Sequence, residues 1–460
     1  MQAFQPEVVH IPVDCAFKTA PCPQCGRRGR RKRVRHRQVR TLAYKKLAYL
    51  DVTYGEYQAR CGCCTTFHNH PDDVLPKGHY DNRVREAVLD RILEDAMSVE
   101  GVLRALKRDF LLDLSTGFVY DCLHQEVRRL NLAEHRAPLL ARFSGTLCVD
   151  ELHLGRYTLL LATDPLQDLP VAFALVKAND QGHMRRFLQN LKNWGFMPRV
   201  VVTDGSNLYP TVLAVLWPAA AHQLCVFHVI KDINQKILDE VRRLRNQQAR
   251  RGRGGRRRRG RRSQAQQARQ QRRGPSHREK ARFVFKHRHL IVKRRENLSE
   301  REGQDLTRML QYLPELMTLR DFADEIYQLL NDGQSAHQAW CRRARLLRRP
   351  AFQKMPGLAE AMAMLAPDKF AKMIAFLKSP ARDKVRTNNH VERANRKLRY
   401  FEKVRYKWRR RRTLVRFLVL AMDRWWTAAE AEEQNPPGKA PASTPKTKDQ
   451  TSPRSQKKAG

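Results

Sequence analysis

Between residues 145 and 230 the chain carries five short, nearly continuous apolar runs: "TLCVDELHL", "RYTLLLATD", "LPVAFALV", "PRVVVTDG" and "AHQLCVFHVI". Apolar runs of this length bounded by turn residues read as strands buried on both faces, so this stretch is restricted to an α/β sheet. The amphipathic "HMRRFLQNLKNWG" between the third and fourth runs reads as a helix. The order is therefore three strands joined by short turns, then helix, strand, helix, strand, which makes a mixed sheet. Asp150 in "LCVD" and Asp204 in "VVVTD" read as aspartates that end strands.

Neighbouring strands present their carboxyl ends in one crevice, so Asp150 and Asp204 can converge. Hard oxygen ligands suit Mg2+ or Mn2+, and a carboxylate pair bridging two such ions stabilises both the attacking and the leaving oxygen of a phosphoryl displacement. Taken singly, an Asp that closes a strand is more often a turn or cap residue. A two-ion site normally needs a third carboxylate, and Glu392 in "TNNHVERANRKLRYFEKVRYKW" is the candidate. That stretch has a second reading, because Asn389-x-x-Glu392 also fits a capping box in which Glu392 reaches back to a free backbone N–H. Both readings stand on the stretch alone. The same helix carries Arg396, Lys397 and Arg399, which are candidate DNA contacts. If Asp150 meets the ions, the adjacent Glu151 points to the opposite face of its strand.

Ahead of the strands, "CPQC" (Cys22, Cys25) and "CGCC" (Cys61, Cys63, Cys64) flank a basic stretch and the strand-like "LAYLDVTYGEYQAR". The Cys-x2-Cys knuckles Cys22/Cys25 and Cys61/Cys64 supply four thiolates for a tetrahedral Zn2+ site, although Cys63, His68 and His70 lie close enough to compete. Three helical patterns follow, "NRVREAVLDRILEDA", "SVEGVLRALKRDF" and "STGFVYDCLHQEVRRL". Ser98 and Ser115 are N-cap residues for the last two, whose shortness suits a helix-turn-helix as well as generic three-helix packing.

Charge narrows the partner. The 460 residues hold 89 Lys and Arg against 46 Asp and Glu, a net +43, which points to a polyanion and first to nucleic acid. Residues 241–278 contain 16 arginines and no acid, a composition that buries no core and reads as a disordered polyanion-binding loop. The tail from 431, rich in Pro, Lys, Ser and Thr, reads the same way. No run approaches the 18 apolar residues of a spanning helix, and "MQAFQPEVVHIPVDC" lacks a signal-peptide layout, so the expected location is the cytoplasm, without membrane partners.

Five elements together resemble a known family: "CPQC…CGCC", "VDELH" around Asp150, "VVTDGSNLYP" around Asp204, "CVFH" (Cys225-x2-His228) and "TNNHVERANRKLR" around Glu392. The chain is similar, over about residues 15–425, to the DDE transposases of bacterial insertion sequences, in the ISL-type branch with an N-terminal four-cysteine zinc motif. The resemblance implies that Asp150, Asp204 and Glu392 are the catalytic acids of a ribonuclease-H-like core and hold Mg2+ or Mn2+. It decides for the metal reading of Glu392. It also explains why Glu392 lies 188 residues beyond Asp204, since a helical domain is inserted between the fifth strand and the Glu-bearing helix. Cys225 and His228 read either as a structural pair beside the site or, for Cys225, simply as a buried strand cysteine, and not as metal ligands.

The implied organisation is multidomain: a zinc-ribbon-like module (1–75), a helix-turn-helix region (76–140), the first part of the ribonuclease-H-like core (141–235), an all-α insertion (236–380), the Glu-bearing helix (381–430) and a tail (431–460). The implied function is a transposase of a bacterial cell, associated with the nucleoid, that binds the inverted terminal repeats of its element. It cleaves DNA and transfers strands with Mg2+, as a homo-oligomer on element ends and target DNA. The alternatives are an inactive DNA-binding regulator and a ribonuclease-H-like nuclease without strand transfer.

Overall fold

The computed structural model describes residues 6–59, 62, 66–251, 275–379, 385–404 and 410–434. The N-terminal sheet holds β1 (Val8–Asp14), β2 (Thr19–Pro21), β3 (Arg28–Thr41), β4 (Leu47–Gln58) and β5 (Thr66–His68), in the order β1-β4-β3-β2 with β5 also on β4. Leu50 and Val52 of β4 pack with Val39 and Val74 in a small core. The basic stretch between the cysteine pairs is itself a strand, β3. From Arg28 to Arg35 its cations are exposed, and Glu56, 7% exposed, is the counter-charge of Arg35 at 2.6 Å and Arg33 at 3.5 Å. The Arg35 hydrogen bond holds the Glu56 carboxyl below the usual range.

Cys22 and Cys25 occupy the tight turn between β2 and β3. Cys22 N–H donates to the Arg27 carbonyl and Gly26 N–H to the Cys22 carbonyl, each at 2.9 Å. Gly26 sits at φ +73°, a conformation open to glycine at no steric penalty. The other two expected zinc ligands, Cys61 and Cys64, lie outside the described residues, as does Cys63. Gln58 and Thr66, on the strands to either side of them, pair with each other at the end of the sheet where Gln58 also faces Arg30.

Three helices follow, Asn82–Leu93, Val99–Phe110 and Thr116–Arg129, and their N-caps Asp81, Ser98 and Ser115 each accept a backbone N–H. A short fourth helix, Arg136–Arg142, leads into the second sheet. The helices share one apolar core with that sheet, running from Val84 and Leu106 through Leu147 and Leu160 to Leu418 and Trp426.

The second sheet is built from the apolar runs: β6 (Thr146–Leu154), β7 (Tyr157–Asp164), β8 (Leu169–Val176), β9 (Val200–Thr203) and β10 (Ala221–Leu224). Its order is β10-β9-β6-β7-β8, with β9 and β10 parallel to β6 and β7 antiparallel to its two neighbours. This mixed sheet with its flanking helices is consistent with a ribonuclease-H-like core. The fifth run was expected to be strand throughout, yet it stops at Leu224. From Val226 the apolar residues Val229, Ile233, Ile237 and Val241 recur at helical spacing and bury one stripe of the helix Val226–Arg251.

That helix opens a second, separate core of helices, including His277–His287, Glu300–Tyr312, Leu316–Leu329 and Ala336–Leu347. The expected disordered loop 241–278 is corrected at both ends, because residues 241–251 continue the Val226 helix and 277–278 begin the next. Its centre, 252–274, lies outside the described residues. The helical unit docks on the sheet edge through Gln223, whose amide donates to the Met373 carbonyl at 3.0 Å and accepts from Phe376 N–H at 2.7 Å. After the helix Asn389–Val404, the helix Arg411–Gln434 packs on β8, with Trp426 Nε1 donating to the Pro170 carbonyl at 2.7 Å. The expected tail from 431 is therefore helical to Gln434, and 435–460 lie outside the described residues. No helix among the described residues is long and apolar enough to cross a membrane.

Candidate active site beyond the β6–β9 pairing

Register sets the site. The pairing of β6 with β9 ends at Cys148 opposite Val202, and Asp150 and Asp204 each lie two residues beyond. On the other side Leu224 is opposite Thr203, so Cys225 follows beside Asp204 and its N–H donates to the Thr203 carbonyl at 2.8 Å. Asp204 and Cys225 thus follow the carboxyl ends of β9 and β10, and Asp150 lies beside them midway along β6, which runs on to Leu154 instead of ending on that aspartate as expected. Asp204 is fixed in a turn, with its Oδ1 accepting from Ser206 N–H at 2.9 Å.

The helix Asn389–Val404 crosses this row. Buried Asn395 donates from Nδ2 to Asp150 Oδ2 at 2.8 Å, and buried Asn388 donates to the Val149 carbonyl at 3.1 Å. His390 and Arg393 both reach Asp168 in the turn between β7 and β8, Arg393 at 2.9 Å. Glu392 N–H bonds the Asn388 carbonyl at 3.1 Å, so Asn389 is already inside the helix. Glu392 Oε1 is buried without a hydrogen bond, which is incompatible with that oxygen closing a capping box. It lies 3.7 Å from His228 Nε2.

The acids gather in two groups. Asp150, Glu151 and Asp204 have carboxylate oxygens within 4.8 Å of one another, while Glu392 shares a group of the same size with Cys225 and His228. Among the described residues, Glu392 is therefore not within that radius of both aspartates, although its charge is felt at Asp150. Glu151 corrects an expectation. It does leave its strand away from Asn395, towards buried Tyr209, but Asp204 stands at the edge of the crevice where both carboxyls reach it.

Burial is the chief electrostatic cause. It pushes the Asp150 carboxyl up to about 6, with Asp204 and Glu392 adding, against the hydrogen bonds from the Glu151 backbone and Asn395. It pushes Glu151 up to about 7, with Asp204 and Asp150 adding and the Tyr209 hydroxyl opposing. His228 is raised to about 9, first by the Cys225 sulfur, then by Glu392 and Asp204, with burial opposing. Of the candidate DNA contacts, Arg396, Lys397 and Arg399 are exposed, and Lys397 Nζ stands 4.8 Å over the Trp425 ring.

Asn388, Asn395 and Tyr209 were not singled out from the sequence. A signal existed for the asparagines: they stand on the buried stripe with Val391 and Leu398, where an amide needs a specific partner.

A search of curated proteins finds no match to the chain. A family model described as "Transposase", of the DDE type named for ISL3, matches residues 147–406. The match covers more than half of the 460 residues and takes in Asp150, Asp204, Glu392 and the helical unit between them, and the chain belongs to the ISL3-type DDE transposases.

Proposed function

We propose that the chain binds the inverted terminal repeats of an insertion sequence and performs Mg2+-dependent DNA cleavage and strand transfer, with Asp150, Asp204 and Glu392 as its catalytic acids. The observation that carries the reading is the convergence of Asp150 and Asp204 two residues beyond the last β6–β9 pair, under a helix that turns Glu392 to the same end of the sheet.

The residues fit a hard divalent ion. Ligand oxygens around Mg2+ lie up to about 4.2 Å apart, and those of Asp150, Glu151 and Asp204 are within 4.8 Å. Glu151 Oε1 and Glu392 Oε1 are buried with no hydrogen bond, as ligand atoms would be. When bound, such ions supply charge stabilisation to the attacking and leaving oxygens of the phosphoryl group. The chain does the rest: Asn395 fixes the Asp150 carboxylate, and Asn388 holds the helix at a set distance from β6.

DNA recognition falls to the N-terminal part in this reading. Cys22 and Cys25 stand in a knuckle turn, and Zn2+ held by them with Cys61 and Cys64 would lock the end of the first sheet. The helices Val99–Phe110 and Thr116–Arg129 form the helix-turn-helix, while Arg396, Lys397 and Arg399 contact phosphates near the site, in a homo-oligomer on paired ends.

The test uses a DNA fragment carrying the element's end. Asp150→Asn, Asp204→Asn and Glu392→Gln should each bind it as the parent does and lose strand cleavage by at least about three orders of magnitude. Normal cleavage by all three would sink the enzymatic reading. Zinc analysis of the full chain addresses the other site: Cys22→Ala together with Cys25→Ala should remove about one equivalent.

A further inference from the structure

We infer that Cys225, His228 and Glu392 form a binding site for a thiophilic divalent ion of the Zn2+ class, and that filling it withdraws Glu392 from the acids that hold Mg2+. One sulfur, one imidazole nitrogen and one carboxylate oxygen lie within 4.8 Å of one another, on the last strand turn, the first helical turn after it and the crossing helix. Three protein ligands of this kind, with one position left to water, make a common tetrahedral zinc arrangement. Thiolate and imidazole favour Zn2+ and discriminate against Mg2+, which takes oxygen. The group beside it, Asp150, Glu151 and Asp204, offers oxygen alone, so the two groups select different ions.

The local structure supports the sulfur as a ligand. Cys225 is fully buried at the head of the 26-residue helix Val226–Arg251, and Asn388 N–H points at its Sγ at 3.2 Å. Both features bring positive partial charge to the sulfur. Glu392 Oε1, 3.7 Å from His228 Nε2, is buried with no hydrogen bond, and His228 Nδ1 is buried without one as well. An unsatisfied buried polar atom calls for a partner, and an ion held in this group would supply one to Glu392.

The consequence for cleavage rests on the transposase reading, whereas the metal binding does not. Glu392 cannot serve both groups at full strength, because its carboxylate would be drawn toward Cys225 and His228. Zn2+ would then act as an inhibitor that competes with assembly of the Mg2+ site rather than with DNA.

The test is Co2+ titration of the full chain holding a single equivalent of zinc, followed by thiolate-to-cobalt absorption. The parent should take up one further equivalent with that absorption, Cys225→Ser should lose the absorption, and Asp150→Asn should keep it. His228→Gln retains the sulfur and should weaken Co2+ binding by about ten-fold or more, which keeps the test open if Cys225→Ser folds poorly. In Mg2+-dependent cleavage, Cys225→Ser should need at least about ten-fold more Zn2+ for half inhibition than the parent. No further cobalt equivalent, or absorption that survives in Cys225→Ser, overturns the site. Equal Zn2+ inhibition of parent and Cys225→Ser overturns the competition. Cobalt absorption that depends on Cys225 in a protein that cleaves nothing upholds the site and removes the transposase reading.

Discussion

The side-chain amide of Asn388 donates to the backbone carbonyl of Val149 at 3.1 Å, joining residues 239 positions apart. Val149 precedes Asp150, and Asn388 stands one helical turn before Glu392, so this bond sets the spacing between two proposed catalytic acids. The same residue's N–H reaches Cys225 Sγ, which ties the helix to the third strand end as well.

Replacing Asn388 by Ala should therefore uncouple the helix from β6. It leaves a buried carbonyl unpaired, a loss of about 1–3 kcal/mol, and lets Glu392 drift. Single-turnover cleavage should fall by roughly ten-fold to a hundred-fold, since small misplacements of a reacting constellation have large effects. Binding of the element end should be unchanged. A variant that cleaves at the parent rate would show that the bond is incidental.

The buried carboxyls make a second prediction, about stability. Asp150 and Glu151 hold protons to about 6 and about 7, above the ordinary values of about 3.9 and 4.3. A group whose folded value is raised contributes stability that is complete below the unfolded value and is lost as pH rises through the folded one. Without divalent metal, the parent should lose stability between about pH 4 and 7. Asp150→Asn keeps the acceptor for Asn395 and removes the charge, so at pH 7.5 it should be more stable than the parent by about 1–2 kcal/mol. The gain should vanish near pH 4. Thermal melts with a chelator across that range are the measurement, and a variant no more stable than the parent at pH 7.5 would contradict the burial argument.

Much of the central sheet was legible because strands buried on both faces have no polar alternation to blur them. Asp204 was legible for the same reason, as an acid following such a run, whereas Asp150 was picked out as a strand-closing acid and lies midway along β6. "CVFHVI" misled because an apolar run of that length fits strand and buried helix alike, and only the continuation at Ile233, Ile237 and Val241 separates the two. Strand β3 was hidden by its charge, since its pairing with β4 supplies the order that its side chains do not. Glu151 was misjudged because alternation along β6 says which face each carboxyl leaves, and not that Asp204, just past the end of neighbouring β9, is out of reach of one of them. The roles of Asn388 and Asn395 depend on contacts more than 200 residues away, which no local pattern carries.

Arg320 gives a prediction for the helical unit. It is 1% exposed, donates to the carbonyls of Leu290, Ile291 and Lys293, and pairs with Asp324 at 2.8 Å. Arg320→Met would leave those carbonyls and Asp324 without it, a destabilisation of about 3–5 kcal/mol. The helical core is separate from that of the sheet, so the damage should be local. Hydrogen exchange should accelerate across residues 277–376 and stay unchanged in β6 to β8. Uniform acceleration would show that the two cores unfold as one.

The last prediction concerns His135, at the start of the short helix before β6. Its Nε2 lies 2.9 Å from Asp423 Oδ1 and its Nδ1 3.2 Å from Glu430 Oε1, both on the helix Arg411–Gln434. Two carboxylates can accept from both ring nitrogens only if the imidazole is protonated. Burial opposes the charge, yet the two hydrogen-bonded carboxylates outweigh it and raise the His135 value. The sign follows from the raised folded value. His135 contributes its full stabilisation below the unfolded value of about 6.5 and loses it as pH rises through the higher folded one. His135→Ala should lower the melting temperature most at pH 6 and progressively less above pH 7. It should also loosen the end of the C-terminal helix, where Glu430 loses its partner. A deficit of the same size at pH 6 and pH 9 would mean that His135 stabilises by packing against Trp426, whose ring centre is 5.2 Å away, and not by its charge.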